Sequence, residues 1–273
     1  MPELPEIEVL RRSLEPRLVG RRIERVEVRA KALRERLDRR ALGALAGRRI
    51  EALERRSKYL LVGIEGGERL AIHLGMSGRL TLVPGPEPRE PHEHLAFHLD
   101  RGERLRLRDP RRFGAAFIVA RAGLEADPHF VHLGIEPLSP ALDGHTLAEL
   151  ARGRRAPAKA FLMDGRRVVG VGNIYATEAL FRAGIDPRRS VARLTGERFA
   201  RLAAAVVEVL EEAIVAGGTT LNDFTDGSGQ QGEFQIDLAV YGRAGQPCPR
   251  CGRAVRRIVQ SGRSSFFCPR CQR

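Results

Sequence analysis

Tryptophan is absent from this 273-residue chain, aromatic residues make up only 5% of it, and there are just four cysteines. So few aromatic rings argue against a stacking platform for single-stranded nucleic acid. No apolar run approaches the ~18 residues a membrane helix needs. The first residues are acidic, unlike a signal peptide, and a cytoplasmic location is expected. With 42% hydrophobic residues the chain is globular, and its length suffices for two or three domains.

Positive charge is abundant. Lysine and arginine total 47 against 34 acids, a formal charge of +13. Arginine dominates, and its planar fork donates two parallel hydrogen bonds to a phosphate. Such a surface concentrates polyanions. The alternative is an arginine-rich but merely soluble surface.

The periodicity predicts a helix over residues 4–15, with Pro5 in its first turn and Ile7, Leu10 and Leu14 on one face. Short strand-like runs follow at 22–28, 58–64, 69–74, 94–99, 104–108 and 115–120, separated by glycine and proline. This pattern fits a β-sandwich with a leading helix. After about residue 130 the texture turns helical, at 138–153, 158–165, 173–183 and 195–216, the last starting at Thr195 and ending at Gly217-Gly218. Residues 222–235 are rich in glycine and polar residues and read as a mobile loop. His92, His94 and His98 lie close in sequence but read as ordinary surface histidines, with no metal assigned.

Two segments carry chemistry. Cys248, Cys251, Cys268 and Cys271 form two C-x2-C pairs sixteen residues apart. Two such knuckles complete a tetrahedron around Zn²⁺, leaving no open position, so the ion is structural. Two disulfides are the alternative, disfavoured in a cytosolic chain. Between the knuckles, 254–259 and 264–267 suggest a β-hairpin bearing Arg253, Arg256, Arg257 and Arg263, suited to phosphate or groove contact. The second segment is the start, Met1-Pro2-Glu3-Leu4-Pro5-Glu6. Removal of Met1 leaves a prolyl amine whose pKa lies near ~8 rather than the ~10.4 of lysine. A secondary amine attacking a sugar C1′ yields an iminium, an electron sink that promotes phosphate elimination. Glu3 is placed to act as general acid. The plain alternative is a helix start with acids favoured by its dipole.

Several motifs together resemble the formamidopyrimidine-DNA glycosylase family: Pro2-Glu3-Leu4-Pro5-Glu6-Ile7-Glu8, Ser57-Lys58-Tyr59-Leu60-Leu61, His73-Leu74-Gly75-Met76-Ser77-Gly78, Asp109-Pro110-Arg111-Arg112-Phe113-Gly114, Val168-Val169-Gly170-Val171-Gly172-Asn173-Ile174-Tyr175-Ala176, Ala239-Val240-Tyr241-Gly242-Arg243 and the four-cysteine finger. The resemblance implies an α+β multidomain protein. Residues 1–131 would form the catalytic β-sandwich domain with its leading helix. Residues 132–236 would form a helix–two-turns–helix domain with a lesion-capping loop near 222–235, and 237–273 the zinc-finger β-hairpin, with one structural zinc ion.

The resemblance further implies a bifunctional glycosylase and lyase of base excision repair, acting on 8-oxoguanine and formamidopyrimidines in duplex DNA and on abasic sites. No membrane role is implied, and a monomer is expected. Pro2 would be the nucleophile and Glu3 the general acid; Lys58 would be a second catalytic group beside the phosphate. Glu6 would help position the damaged nucleotide. Met76, Arg111 and Phe113 match the residues that fill the gap left by a flipped base. Lys58, His73, Asn173 and Arg263 would clamp phosphate, with Tyr241 also at the DNA, and Lys159 would face the lesion. Gly170-x-Gly172-Asn173 reads as a turn into a helix whose first amides meet a phosphate. The Gln230-Gln231-Gly232-Glu233 stretch departs from the family's usual loop, which puts lesion preference in doubt. The competing readings are an endonuclease VIII-like enzyme for oxidised pyrimidines and a non-catalytic zinc-dependent DNA-binding protein.

Overall fold

The computed structural model describes residues 2–85, 87–121, 123–218 and 238–273. The loop at 222–235, expected to be mobile and lesion-capping, lies outside the described residues. Among the described residues, 2–131 with 217 and 218 form one compact unit, and 132–216 with 238–273 a second.

The first unit begins with α1 (Leu4–Leu18), whose N-cap is Glu3. The Glu3 side chain accepts from the Glu6 amide, and Glu6 returns the bond to the Glu3 amide at 2.7 Å, so two orphan helix-end donors are satisfied reciprocally. Ile7, Leu10, Leu14 and Leu18 are at most 1% exposed and join the core. The helix runs past the expected end at residue 15, tolerating Pro16 inside. It packs against β2 and β3. The strands are β1 (Ile23–Val28), β2 (Ile50–Arg56), β3 (Tyr59–Ile64), β4 (Arg69–His73), β5 (Arg79–Pro84), β6 (Glu93–Leu99), β7 (Glu103–Arg108) and β8 (Ala115–Val119), with a short α2 (Arg39–Gly43) after β1. They form two antiparallel four-stranded sheets, ordered β1-β6-β7-β5 and β2-β3-β4-β8. Leu60, Ile72, Leu95, Phe97 and Leu107 supply much of the shared core. Strands β2 and β5 were not anticipated. In Glu51 to Arg56 charged residues surround the single buried Leu53, which hides the strand pattern.

The second unit is helical: α3 (Gly144–Ala151), α4 (Ala158–Leu162), α5 (Asn173–Ala183) and α6 (Gly196–Val215), followed by the hairpin of β9 (Arg256–Gln260) and β10 (Arg263–Phe267). Helix α6 packs on α3 and α5. Helix α3 starts six residues later than its apolar pattern suggested. Pro140 precedes it, and the Asp143 carboxylate caps it by accepting from the Thr146 amide at 2.7 Å. Phe181 of α5 shares a small core with Val240, Cys248, Val255, Phe266 and Cys268.

Leu10 is fully buried on the helix that carries the N-terminal acids. Truncation to Leu10→Ala is expected to lower stability by about 2–5 kcal/mol, measured as a lower urea midpoint. A midpoint equal to that of the parent would contradict this placement.

Candidate active site and DNA interface

Pro2 is half-buried immediately before α1, next to Glu3 and Glu6, each 2% exposed. Gly218 lies over this corner: at φ +85, a Cβ there would sit 3.2 Å from Glu6 Cγ. The positive φ favours glycine there, and any larger residue would press on the Glu6 side chain.

Lys58 occupies the two-residue turn between β2 and β3, where Arg56 pairs with Tyr59 and Ser57 takes φ +56. Tyr59 pairs in turn with His73 at the end of β4, and their rings stand 4.9 Å apart. Sheet register thus brings Lys58 and His73 together. His73 Nδ1 accepts the Gly75 amide at 3.0 Å. A neutral imidazole must then carry its proton on Nε2 and present it as a donor. Burial, with the nearby charges of Lys58 and Arg34, pushes the His73 pKa down to about 4.

Met76 lies on one loop, and Arg111 and Phe113 lie on the loop adjoining it. Met76 and Phe113 are 42% and 46% exposed, unusual for large apolar side chains. The Arg111 guanidinium lies 4.7 Å over the Phe113 ring. The loops are fastened by Asp109, which is fully buried. One of its carboxylate oxygens accepts from Ser77 Oγ at 2.6 Å, the other from the Gly114 amide at 2.8 Å. Ser77 Oγ accepts the Arg111 amide at 3.2 Å. His94 Nε2 donates to the Asp109 carbonyl at 2.9 Å. His94 is 5% exposed, so it is an interior brace and not the surface histidine its neighbours suggested. Gly75, at φ +63, lies so close that a Cβ would fall 2.4 Å from the Phe113 carbonyl carbon.

In the second unit Gly172 caps α5 and Asn173 is its first residue. Asn173 Nδ2 donates to the Tyr241 hydroxyl at 3.3 Å, leaving the phenolic proton free to be donated onward. Glu178, 4% exposed, accepts from the amides of Ala239, Val240 and Tyr241 at 2.8–3.0 Å and fixes that segment. Arg263 follows the Ser261-Gly262 turn of the hairpin and is exposed. Lys159 lies on α4. It is 1% exposed, and its ammonium donates to the Ser264 carbonyl at 2.9 Å and to Ser265 Oγ at 2.7 Å. It braces the hairpin beside Arg263, spending donors that a buried ammonium cannot leave idle.

The four cysteine Sγ atoms lie within 4.8 Å of one another, with Cys248–Cys271 at 3.9 Å and Cys251–Cys268 at 3.5 Å. A tetrahedron with Zn–S bonds of about 2.3 Å has edges of about 3.8 Å, so the set fits one ion.

Three family profiles match in chain order: the formamidopyrimidine-DNA glycosylase N-terminal domain at residues 1–116, its H2TH domain at 133–225, and a zinc finger found in FPG and IleRS at 245–273. The formamidopyrimidine-DNA glycosylase of Halorhodospira halophila is 51% identical over 277 residues, covering 100% of both chains. That of Stenotrophomonas maltophilia is 49% identical over 273 residues, again covering both completely. Among solved structures, the MutM (Fpg) protein of Thermus thermophilus superposes with a TM-score of 0.88 at 44% identity, covering 99% of this chain and 98% of that one. Lactococcus lactis Fpg in complex with DNA containing N7-benzyl-Fapy-dG gives 0.90 at 33% identity, covering 99% of each. The chain belongs to the formamidopyrimidine-DNA glycosylase family.

The roles of Asp109, Ser77 and Glu178 were not foreseen. The only sequence signal for Glu178 is a lone acid within the apolar run of α5.

His73 is expected to titrate near pH 4 in the free protein, which NMR of its ring protons can follow. The unfolded chain takes up this proton near pH ~6.5. The contribution of His73 to stability is therefore complete above that value and is lost as pH falls toward 4. A midpoint at or above 6.5 would contradict the buried neutral donor. For Asp109, replacement by alanine is expected to cost about 1.5–3 kcal/mol per charged hydrogen bond lost and to speed amide exchange at Arg111 and Gly114. Asp109→Asn, which keeps a donor and an acceptor, should do less. Unchanged exchange in the alanine variant would remove Asp109 from its fastening role.

Proposed function

We propose that the chain is a bifunctional base-excision-repair enzyme that removes oxidised purines, including 8-oxoguanine and formamidopyrimidines, from duplex DNA and then cleaves the strand at the abasic site. The observation that carries this reading is Pro2 beside the buried, mutually bonded Glu3 and Glu6 at the head of a rigid helix. Once Met1 is removed, the Pro2 nitrogen lone pair forms a bond to C1′ while the C1′–base bond breaks; the base leaves with that electron pair, and the N–H proton of Pro2 passes to the departing base. Glu3 gives its proton to the sugar ring oxygen as the ring opens, and an iminium joins Pro2 to C1′. Loss of a C2′ proton then expels the 3′ phosphate, and a second elimination expels the 5′ phosphate. Lys58 serves the first elimination and binds the phosphate.

The remaining residues hold the substrate. Met76, Arg111 and Phe113 fill the space left by the flipped nucleotide, Arg111 donating to the unpaired partner base. Glu6 helps position the damaged nucleotide. His73 donates a neutral hydrogen bond to phosphate, and Asn173, Tyr241 and Arg263 contact phosphate from the second unit. Cys248, Cys251, Cys268 and Cys271 hold one structural Zn²⁺ that shapes the hairpin. The working division is 1–131, 132–236 and 237–273, in a monomer. Among the described residues no helix is long and apolar enough to cross a membrane. The Lactococcus lactis relative, solved with Fapy-dG DNA and with abasic-site DNA, supports both halves of the reaction.

Mature protein, with Met1 removal verified by intact mass, should excise 8-oxoguanine from a duplex in preference to thymine glycol and form a borohydride-trapped covalent adduct. Pro2→Gly should abolish or greatly weaken the trap. Preference for thymine glycol would favour an oxidised-pyrimidine enzyme. Binding with no adduct would favour a non-catalytic DNA-binding protein.

A further inference from the structure

Residues 29–40 hold six basic residues, Arg29, Lys31, Arg34, Arg36, Arg39 and Arg40, against two acids, Glu35 and Asp38. Both acids are occupied. Glu35 pairs with His129 at 2.9 Å, and Asp38 caps α2 by accepting the amides of Arg40 and Ala41. Arg29 is taken up by Glu27 and Glu93. Arg39 donates to the Arg29 carbonyl at 3.2 Å, which leaves its charge uncompensated. Among the described residues, Lys31, Arg34, Arg36 and Arg40 have no carboxylate partner, and all four are exposed. Elsewhere the same side chain is paired routinely, as in Arg11 with Glu8, Arg21 with Asp100 and Arg106 with Glu90.

This basic arm is held in shape. Ala32 and Arg36 form an antiparallel bridge, and Leu33 and Leu37, at 8% and 4% exposure, anchor it in the sandwich core. Lys31, Arg36, Leu37, Asp38, Arg39 and Arg40 line an open depression of about 1010 Å³. That is too broad and open for one small anion but suits a stretch of polyanionic backbone. The Arg34 amide donates to the Gly114 carbonyl at 2.9 Å, so the arm is continuous with the loop that carries Phe113. The charge of Arg34 also reaches His73.

We propose that the arm at 30–40 is a further phosphate-binding surface, gripping duplex DNA beside the loops of Met76 and Phe113 through Lys31, Arg34, Arg36 and Arg40. The inference rests on the reading of those loops as the part that enters the duplex. It extends the footprint beyond the lesion and supplies a sequence-independent grip of the kind that governs salt dependence.

The test is the salt dependence of binding of the full-length chain to a lesion-containing duplex of about 25 base pairs, long enough to run past the lesion on both sides. Each lost contact should reduce the slope of log affinity against log salt by about 0.9. The triple variant Lys31→Ala, Arg36→Ala, Arg40→Ala is therefore expected to lose two to three units of slope and about tenfold or more in affinity near physiological salt. Arg34→Ala alone should lose about one unit. Single-turnover excision by the triple variant at saturating enzyme should match the parent. The control is Arg152→Ala, Arg182→Ala, Arg201→Ala, which removes equal charge from ion-paired sites in the second unit. An arm variant with the slope and affinity of that control would overturn the proposal. A parent protein that does not favour lesion duplex at all would instead count against the function proposed above, so the two failures are distinguishable.

Discussion

A carboxylate with no exposed surface holds the two loops on which the first unit's display of side chains depends. Asp109 would be costly to bury as a lone charge. Here each oxygen has a donor, Ser77 Oγ for one and the Gly114 amide for the other, and charge-assisted bonds of this kind are the strong ones. The His94 ring fixes the backbone carbonyl of the same residue. With that centre set, Gly75 can press against the Phe113 backbone, and Met76 and Phe113 can stay exposed without collapsing onto the sheet. Exposed apolar side chains on a stiff support are what inserting into a base stack demands. On a loose loop they would fold back to bury themselves, and straightening them would cost binding energy.

Carboxylates serve elsewhere in the molecule as fasteners of backbone amides. Glu3 and Glu6 close the head of α1, Glu178 gathers three amides around Tyr241, and Asp143 and Asp38 cap α3 and α2. This bears on the charge of the whole chain. Among the described residues Asp38, committed to the α2 cap, pairs with no arginine of the arm at 30–40. The field a polyanion meets outside is more positive at places such as the arm at 30–40 than the net charge alone suggests.

Features encoded within one element were legible in the sequence. The α1 stripe of Ile7, Leu10 and Leu14, the span of α5, the Thr195 cap of α6 and the two cysteine knuckles all lie where local pattern put them. Features made by partners far apart in the chain were not. Ser77 and Asp109 are 32 residues apart, Glu178 and Ala239 61, and Lys159 and Ser265 106, and no spacing rule links them. Lys159 illustrates this. A lysine among small residues on a short helix looks the same in sequence whether it faces solvent or the underside of a hairpin, and only the position of β10 decides. The early start expected for α3 failed for a different reason: apolar periodicity continued through Pro140, but the cap at Asp143 determines where the amides begin to be satisfied.

The neutral state of His73 follows from its company and has a consequence for how phosphate is held. Lys58 and Arg34 already bring two positive charges to this corner, and a third on a largely desolvated ring would be repelled by both. Accepting the Gly75 amide on Nδ1 removes the choice of tautomer and leaves the proton of the neutral ring on Nε2. Under the proposed function, a phosphate entering this corner meets cations for charge and one uncharged donor for direction. Lysine at position 73 would add charge at the expense of a buried ammonium and a longer, less ordered reach. Because the ring in the free protein sits near pH 4, about 2.5 units below its unperturbed value, its charge stays constant across the physiological range. The phosphate contact proposed for this corner is then expected to respond to salt rather than to pH.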